Sequence, residues 1–156
     1  MIVKDGGPQL ERAIRSLLPF ANEVVVLDTG PDGSPGLGHD GDAKVYHKEW
    51  ENHFAAARNQ AASLCRHDLI LVLDADEVLL GDPGALQTAL QPPHLGAFSI
   101  RLFNLDEHGH PASAMNQIRL YDRTKFHYIG RVHNELIVSS SMAPPTCQQL
   151  GTEVLC

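Results

Sequence analysis

Residues Leu69–Val78 read LILVLDADEV. Five apolar side chains run straight into Asp74, Asp76 and Glu77. A continuous apolar run suits a strand covered on both faces, and in an open α/β sheet ligands sit beyond the carboxyl ends of such strands. Residues i and i+2 of an extended segment point the same way, so Asp74 and Asp76 can face one cation. Carboxylates this close otherwise repel, and one of them is driven to keep its proton. A hard divalent ion with oxygen ligands removes the conflict and leaves room for phosphate oxygens and water. The plainer reading is a turn capped by Asp74, with the other carboxylates solvated.

Working outward, a second buried run, EVVVLD (Glu23–Asp28), delivers Asp28 to the same edge of the sheet. Between the chain start and that run, Leu10, Ala13, Ile14 and Leu17 recur at helical spacing, with Pro8 before them and Pro19 after. TGPDGSPGLGHDGD reads as loop, AKVYH as a short strand, NHFAAARNQAASLC as a helix striped by Phe54, Ala57, Ala61 and Leu64. PGALQTAL reads as helix and GAFSIRLFN as strand; MNQIRLYDR and RVHNELIV are later strands. The order β-α-β-β-α-β-α-β predicts an α/β three-layer sandwich with a mainly parallel sheet.

The chain has 156 residues, the size of one domain, and a net charge of -7 from 12 Lys and Arg against 19 Asp and Glu. An acidic surface argues against nucleic acid and anionic membrane as partners. No apolar run approaches a membrane span. Cys65, Cys147 and Cys156 form no CxxC pair, and no basic leader precedes an apolar segment, which points to the cytoplasm.

MIVKDGGPQLERAIRSLLPFANEVVVLDTG, AKVYHKEWENHFAAARNQA, DLILVLDADEVL and RLYDRTKFHYIGRVHNEL occur in this order. Together they resemble the family 2 glycosyltransferases of the GT-A fold, especially a bacterial group whose catalytic domain often precedes helical repeats. The similarity defines a nucleotide-sugar-binding domain over residues 1–137, with 138–156 as a polar tail or the clipped end of the same domain. The first strand starts at Met1 and the chain stops at LGTEVLC, so a fold short at both ends is expected. The loops KDGGP and DTGPDGS depart from the family pattern.

The resemblance implies roles for particular residues. Asp28 bonds the base or ribose of a nucleotide-sugar, Arg58 contacts the nucleotide, and Lys4 and Asp5 border it. Asp74 and Asp76 form the metal motif for Mg2+ or Mn2+, with Asp76 the direct ligand, Asp74 facing the metal or the ribose of the nucleotide, and His133 a third ligand. Arg58 or Arg131 helps neutralise the diphosphate. Glu135, two residues from His133, is the candidate base of an inverting transfer, and Glu77 reads as a bystander. The implied donor is a UDP-sugar; the acceptor is a glycan, a lipid-linked sugar or a peptide. Two other readings stand beside this one: a domain that binds the donor without turning it over, and a haloacid-dehalogenase-like phosphatase with Asp74 as nucleophile.

Overall fold

A computed structural model describes residues 1–4, 6–30, 41–91, 96–139 and 148–155. The first half builds a small parallel sheet. Strand β1 (Ile2–Val3) and strand β3 (Lys44–His47) flank strand β2 (Val25–Asp28), with Val3 opposite Asp28 and Asp28 opposite His47. Every residue of β2 is buried, which is what its unbroken apolar run requires of a central strand. Helix α1 (Gly7–Leu17) buries Leu10, Ala13, Ile14 and Leu17, the stripe expected from their spacing. The chain enters α1 through Gly6 and Gly7. Gly7 has φ +65°, and a Cβ on Gly6 would run into the Leu10 side chain. The double glycine of KDGGP is thus a steric requirement of this tight entry.

Helix α2 (Phe54–Ser63) buries Ala55, Ala57, Ala61 and Ala62, so it is covered on two sides rather than along one stripe. Ala57 and Ala61 pack on Leu27 of β2, while Ala55 and Ala62 share a cluster with Ile70, Val72, Tyr121 and Tyr128. Small side chains permit this double contact. Phe54, expected within the stripe, is 38% exposed at the start of the helix. His53 caps the helix, its Nδ1 accepting the Ala56 N–H at 3.1 Å.

The second sheet holds strands β4 (Leu69–Leu71), β5 (Val78–Leu80), β6 (Ala97–Leu105), β7 (Pro111–Asp122) and β10 (Gln148–Leu155), ordered β4-β7-β6-β10-β5. Within it only β6 and β10 run parallel; β4–β7, β6–β7 and β5–β10 are antiparallel. The α/β class expected from the sequence is the one adopted, but the strand pairing is mixed. The physical reason is the β6–β7 hairpin, which returns the chain directly beside itself and needs no crossover helix. Helix α3 (Pro83–Ala89) lies between β5 and β6 in sequence, and strands β8 (Phe126–Ile129) and β9 (Glu135–Val138) form a separate antiparallel pair.

The segment read as a polar tail contributes β10, which sits between β6 and β5 and buries Leu150 and Val154. No ladder joins β1 to β4; the two sheets meet through side chains, in a core that includes Leu10, Leu17, Val26, Leu73, Leu79 and Phe98. No helix among the described residues is long and apolar enough to cross a membrane.

Candidate functional site

The buried polar and charged residues among those described are Asp28, Thr29, Glu77 and Arg119. Two end β2, and two belong to the turn after β4 or the strand beside it. Withdrawing such groups from water is costly unless each finds a partner, so their partners define the site.

At the end of β2, Asp28 Oδ1 accepts the Gly30 N–H at 2.9 Å. Thr29 is tied to β1 twice, through its N–H and its Oγ1, both donating to the Val3 carbonyl at 2.8 Å. The other oxygen of Asp28, Oδ2, is buried and has no hydrogen-bond partner among the described residues. Position Asp5 lies outside the described residues; Lys4 is exposed at the end of β1.

At the end of β4, the Val72 N–H still bonds the Arg119 carbonyl of β7 at 2.7 Å. Beyond it the chain turns instead of staying extended. The Glu77 N–H donates to the Asp74 carbonyl at 3.1 Å, and the Asp74 N–H donates to Glu77 Oε2 at 2.9 Å. This is a four-residue turn closed by its backbone hydrogen bond and reinforced by the Glu77 carboxylate on the Asp74 N–H. It separates the two aspartates that an extended chain would point together. Asp74 is partly buried, whereas Asp76 is exposed and makes no hydrogen bond or ion pair with any described residue.

Both oxygens of Asp74 are engaged. Oδ1 accepts from Arg58 Nη2 at 2.9 Å and Oδ2 from Arg119 Nη1 at 3.2 Å. Burial alone would push the Asp74 carboxyl up, but the two guanidiniums outweigh it and hold the group below its ordinary range. Arg119 Nη2 also pairs with Glu77 Oε1. Glu77 is therefore no bystander: it is buried and anchors both the turn and an arginine. Arg58 lies over the Tyr128 ring, 5.6 Å from its centroid, and burial raises the Tyr128 hydroxyl above its usual pKa.

Helix α2 relates the two strand ends. Ala57 packs on Leu27, the residue before Asp28, and the next residue, Arg58, reaches Asp74. Asn59, beside it, clamps β8: its Nδ2 donates to the Tyr128 carbonyl at 2.8 Å and its Oδ1 accepts the Tyr128 N–H at 2.9 Å. The turn that follows β8 is held to α2 by the Phe54 N–H on the Arg131 carbonyl at 2.9 Å and by Arg131 Nε on the Asn52 carbonyl at 3.2 Å. Arg131 thus braces the start of α2 through these bonds. His133 and Glu135 are both exposed in or just after this turn.

Among the described residues no group of three or more His, Cys, Asp or Glu side chains is close enough to hold a metal ion. Asp74, Asp76 and His133 accordingly do not form a preassembled triad. A cavity of about 270 Å³ lies behind Arg58, between β1 and β4, lined by apolar residues including Ile2, Leu17, Phe20, Leu71 and Leu120. It is set apart from the exposed Asp76. Sequence reading missed Arg119. Its signal was a charged residue within the apolar strand run QIRLYD, a position that must find a buried anion once the strand is central.

The curated relatives are longer proteins. One is a TPR repeat-containing protein of Synechococcus elongatus, 40% identical over 102 residues, covering 64% of this chain and 25% of that protein. Another is an uncharacterized glycosyltransferase of Rickettsia bellii, 35% identical over 80 residues, covering 51% of this chain and 27% of its own length. The chain thus spans about a quarter of the curated relatives it matches. Among solved structures, S. aureus TarS aligns over 72% of this chain and 22% of its own, at 16% identity and a TM-score of 0.49. The family described as "Glycosyl transferase family 2" matches residues 1–142, a span that takes in β2, the acid turn and the β8–β9 hairpin, and displaces the phosphatase reading of the same motif. The chain belongs to glycosyl transferase family 2.

Proposed function

We propose that this domain transfers a sugar from a nucleotide-diphosphate donor, a UDP-sugar, to a glycan, lipid-linked sugar or peptide acceptor in the cytoplasm. The observation that carries the reading is Asp28 Oδ2, a buried acceptor at a strand end with no donor among the described residues. Such an oxygen calls for an N–H or O–H from a ligand, and a uracil imide or a ribose hydroxyl is of that kind. Lys4, at the end of β1, and Asp5 after it would border the same nucleotide.

The donor set also fits a hard cation. Asp76 offers an exposed carboxylate free of partners among the described residues, and Mg2+ is commonly held by one or two carboxylates together with substrate phosphates and water. Asp76 would hold Mg2+ or Mn2+, and His133 is the further ligand that the family resemblance offers. The chemistry such an ion supplies is neutralisation of the departing diphosphate. Asp74 keeps both oxygens on Arg58 and Arg119 and acts by holding the turn. In the transfer the acceptor oxygen attacks the anomeric carbon while the bond to the diphosphate breaks. The configuration inverts, and Glu135, exposed on the hairpin beside α2, takes the acceptor proton.

Thermal unfolding of the chain with UDP, ADP or GDP, each with Mn2+, tests the reading. UDP should raise the melting temperature of the wild type and leave Asp28→Ala unmoved. An equal UDP response in Asp28→Ala would remove the nucleotide from this end of β2. UDP binding without any turnover of UDP-sugars would leave a donor-binding domain in place of an enzyme.

A further inference from the structure

We infer that Glu77 and Arg119 are positioning residues, whose buried ion pair fixes the Asp74–Glu77 turn so that Asp76, and not Asp74, is the aspartate presented to the cation. This inference rests on the proposed metal-assisted transfer. Its basis is a closed ring of bonds. Glu77 Oε2 accepts the Asp74 N–H at 2.9 Å, Glu77 Oε1 accepts Arg119 Nη2, and Arg119 Nη1 returns to Asp74 Oδ2 at 3.2 Å. The Glu77 N–H on the Asp74 carbonyl, at 3.1 Å, closes the backbone of the same turn. Side-chain exposure is 4% for Glu77 and 7% for Arg119, so neither group is available to solvent or substrate.

Arg58 joins this three-residue ring through Asp74 Oδ1, and the charges of the four side chains balance. Arg58 and Arg119 carry two positive charges, Asp74 and Glu77 two negative ones, and the network is neutral as a unit. Without Glu77, Arg119 and Arg58 would share Asp74, leaving an excess of buried positive charge beside the turn that carries Asp76. Without Arg119, Asp74 Oδ2 and Glu77 Oε1 would lose their shared donor and repel across the turn. Asp76 lies between the two tied residues, so its carboxylate goes wherever this turn goes. Groups of this kind, which orient a ligand residue without touching the metal, typically matter 10–100-fold in metal affinity.

The test must separate positioning from mere stability, since removing one member of a buried pair strands the other. Replacing both by apolar side chains of similar size is often tolerated, so the informative variant is Glu77→Leu with Arg119→Met. Mn2+ is titrated calorimetrically into the chain saturated with UDP, and melting temperature and metal-free UDP affinity are measured alongside. The double variant should melt near the wild type and bind UDP alone as the wild type does, yet need about 10–100-fold more Mn2+. Should the double variant not fold, Glu77→Gln, which keeps the acceptor for the Asp74 N–H but drops the charge, should also weaken Mn2+. A folded variant of either kind with Mn2+ affinity within twofold of the wild type overturns the inference while the transferase reading stands. A wild type that takes up neither UDP nor Mn2+ overturns that reading, and this inference with it.

Discussion

Arg58 Nη2 donates to Asp74 Oδ1 at 2.9 Å, joining the middle of α2 to the turn after β4 across 16 residues of sequence. The guanidinium is 13% exposed and its Nε is buried without a hydrogen-bond partner among the described residues. Arg58→Met keeps most of the stem against Tyr128 but leaves Asp74 with Arg119 alone. A loss of about 1–3 kcal/mol in urea denaturation is expected, together with a fall in turnover of a UDP-sugar. The sign of the pH effect follows from the lowered Asp74 pKa. Its pairing contributes stability above the ordinary value of 3.8 and loses it as pH falls below that value. Arg58→Met should therefore be less stable than the wild type at neutral pH and converge on it under acid conditions.

Glu23 offers a cleaner acid transition away from the site. Its carboxylate accepts from Lys44 Nζ at 2.8 Å, from the Arg66 N–H at 2.8 Å and from Arg66 Nε at 3.1 Å. The Lys44 bond, then the Arg66 backbone bond, pull its pKa from 4.5 down to about 2. A depressed carboxyl stabilises the fold above its unfolded pKa, and the gain is lost as pH falls from about 4.5 towards 2. Because Lys44 is half-exposed and Arg66 mostly exposed, Glu23→Gln should cost only about 1 kcal/mol at pH 7. Denaturation at pH 7 and pH 2 should show the gap between the two proteins closing.

Asn59→Ala removes both bonds from α2 to the Tyr128 backbone and leaves a partly buried N–H and carbonyl without partners. An expected cost of about 2–4 kcal/mol is measurable by urea denaturation. Protection from hydrogen exchange should fall first at Tyr128 and its β9 neighbour Leu136.

Gly130 has φ +91°, and a Cβ there would collide with the His133 carbonyl oxygen. Gly130→Ala should destabilise the hairpin by about 1–3 kcal/mol and lower turnover through displacement of Glu135, while UDP affinity stays within about twofold. A full loss of UDP binding would place this turn at the nucleotide instead.

Some of this was readable from local rules. The spacing of Leu10, Ala13, Ile14 and Leu17 and the unbroken run Val24–Leu27 each demand one kind of burial, and the structure supplies it. The acid turn was harder. Reading Asp74 and Asp76 at alternate positions assumes an extended chain, but the chain turns between Asp74 and Glu77, held by the Glu77 carboxylate on the Asp74 N–H and by their backbone bond. The charge of Arg119 in an apolar run asked for a buried anion, but its partners Glu77 and Asp74 lie 42 and 45 residues away and are brought near only by the β4–β7 register. The antiparallel returns of β6 and β7 were likewise invisible to periodicity, which reports which faces are covered and not the direction of the neighbour.

The absence of a ladder between β1 and β4 has a consequence for how the molecule measures distance. Within one sheet, the gap between two strand ends is set by backbone hydrogen bonds and hardly varies. Here Asp28 and Asp74 follow strands of different sheets, so the span between these two carboxylates is gauged by methyl groups, those of Ala57 and Ala61 against Leu27 on one flank of α2 and of Ala55 and Ala62 on the other. A single added carbon on that helix would lengthen the ruler and shift the two carboxylates relative to each other.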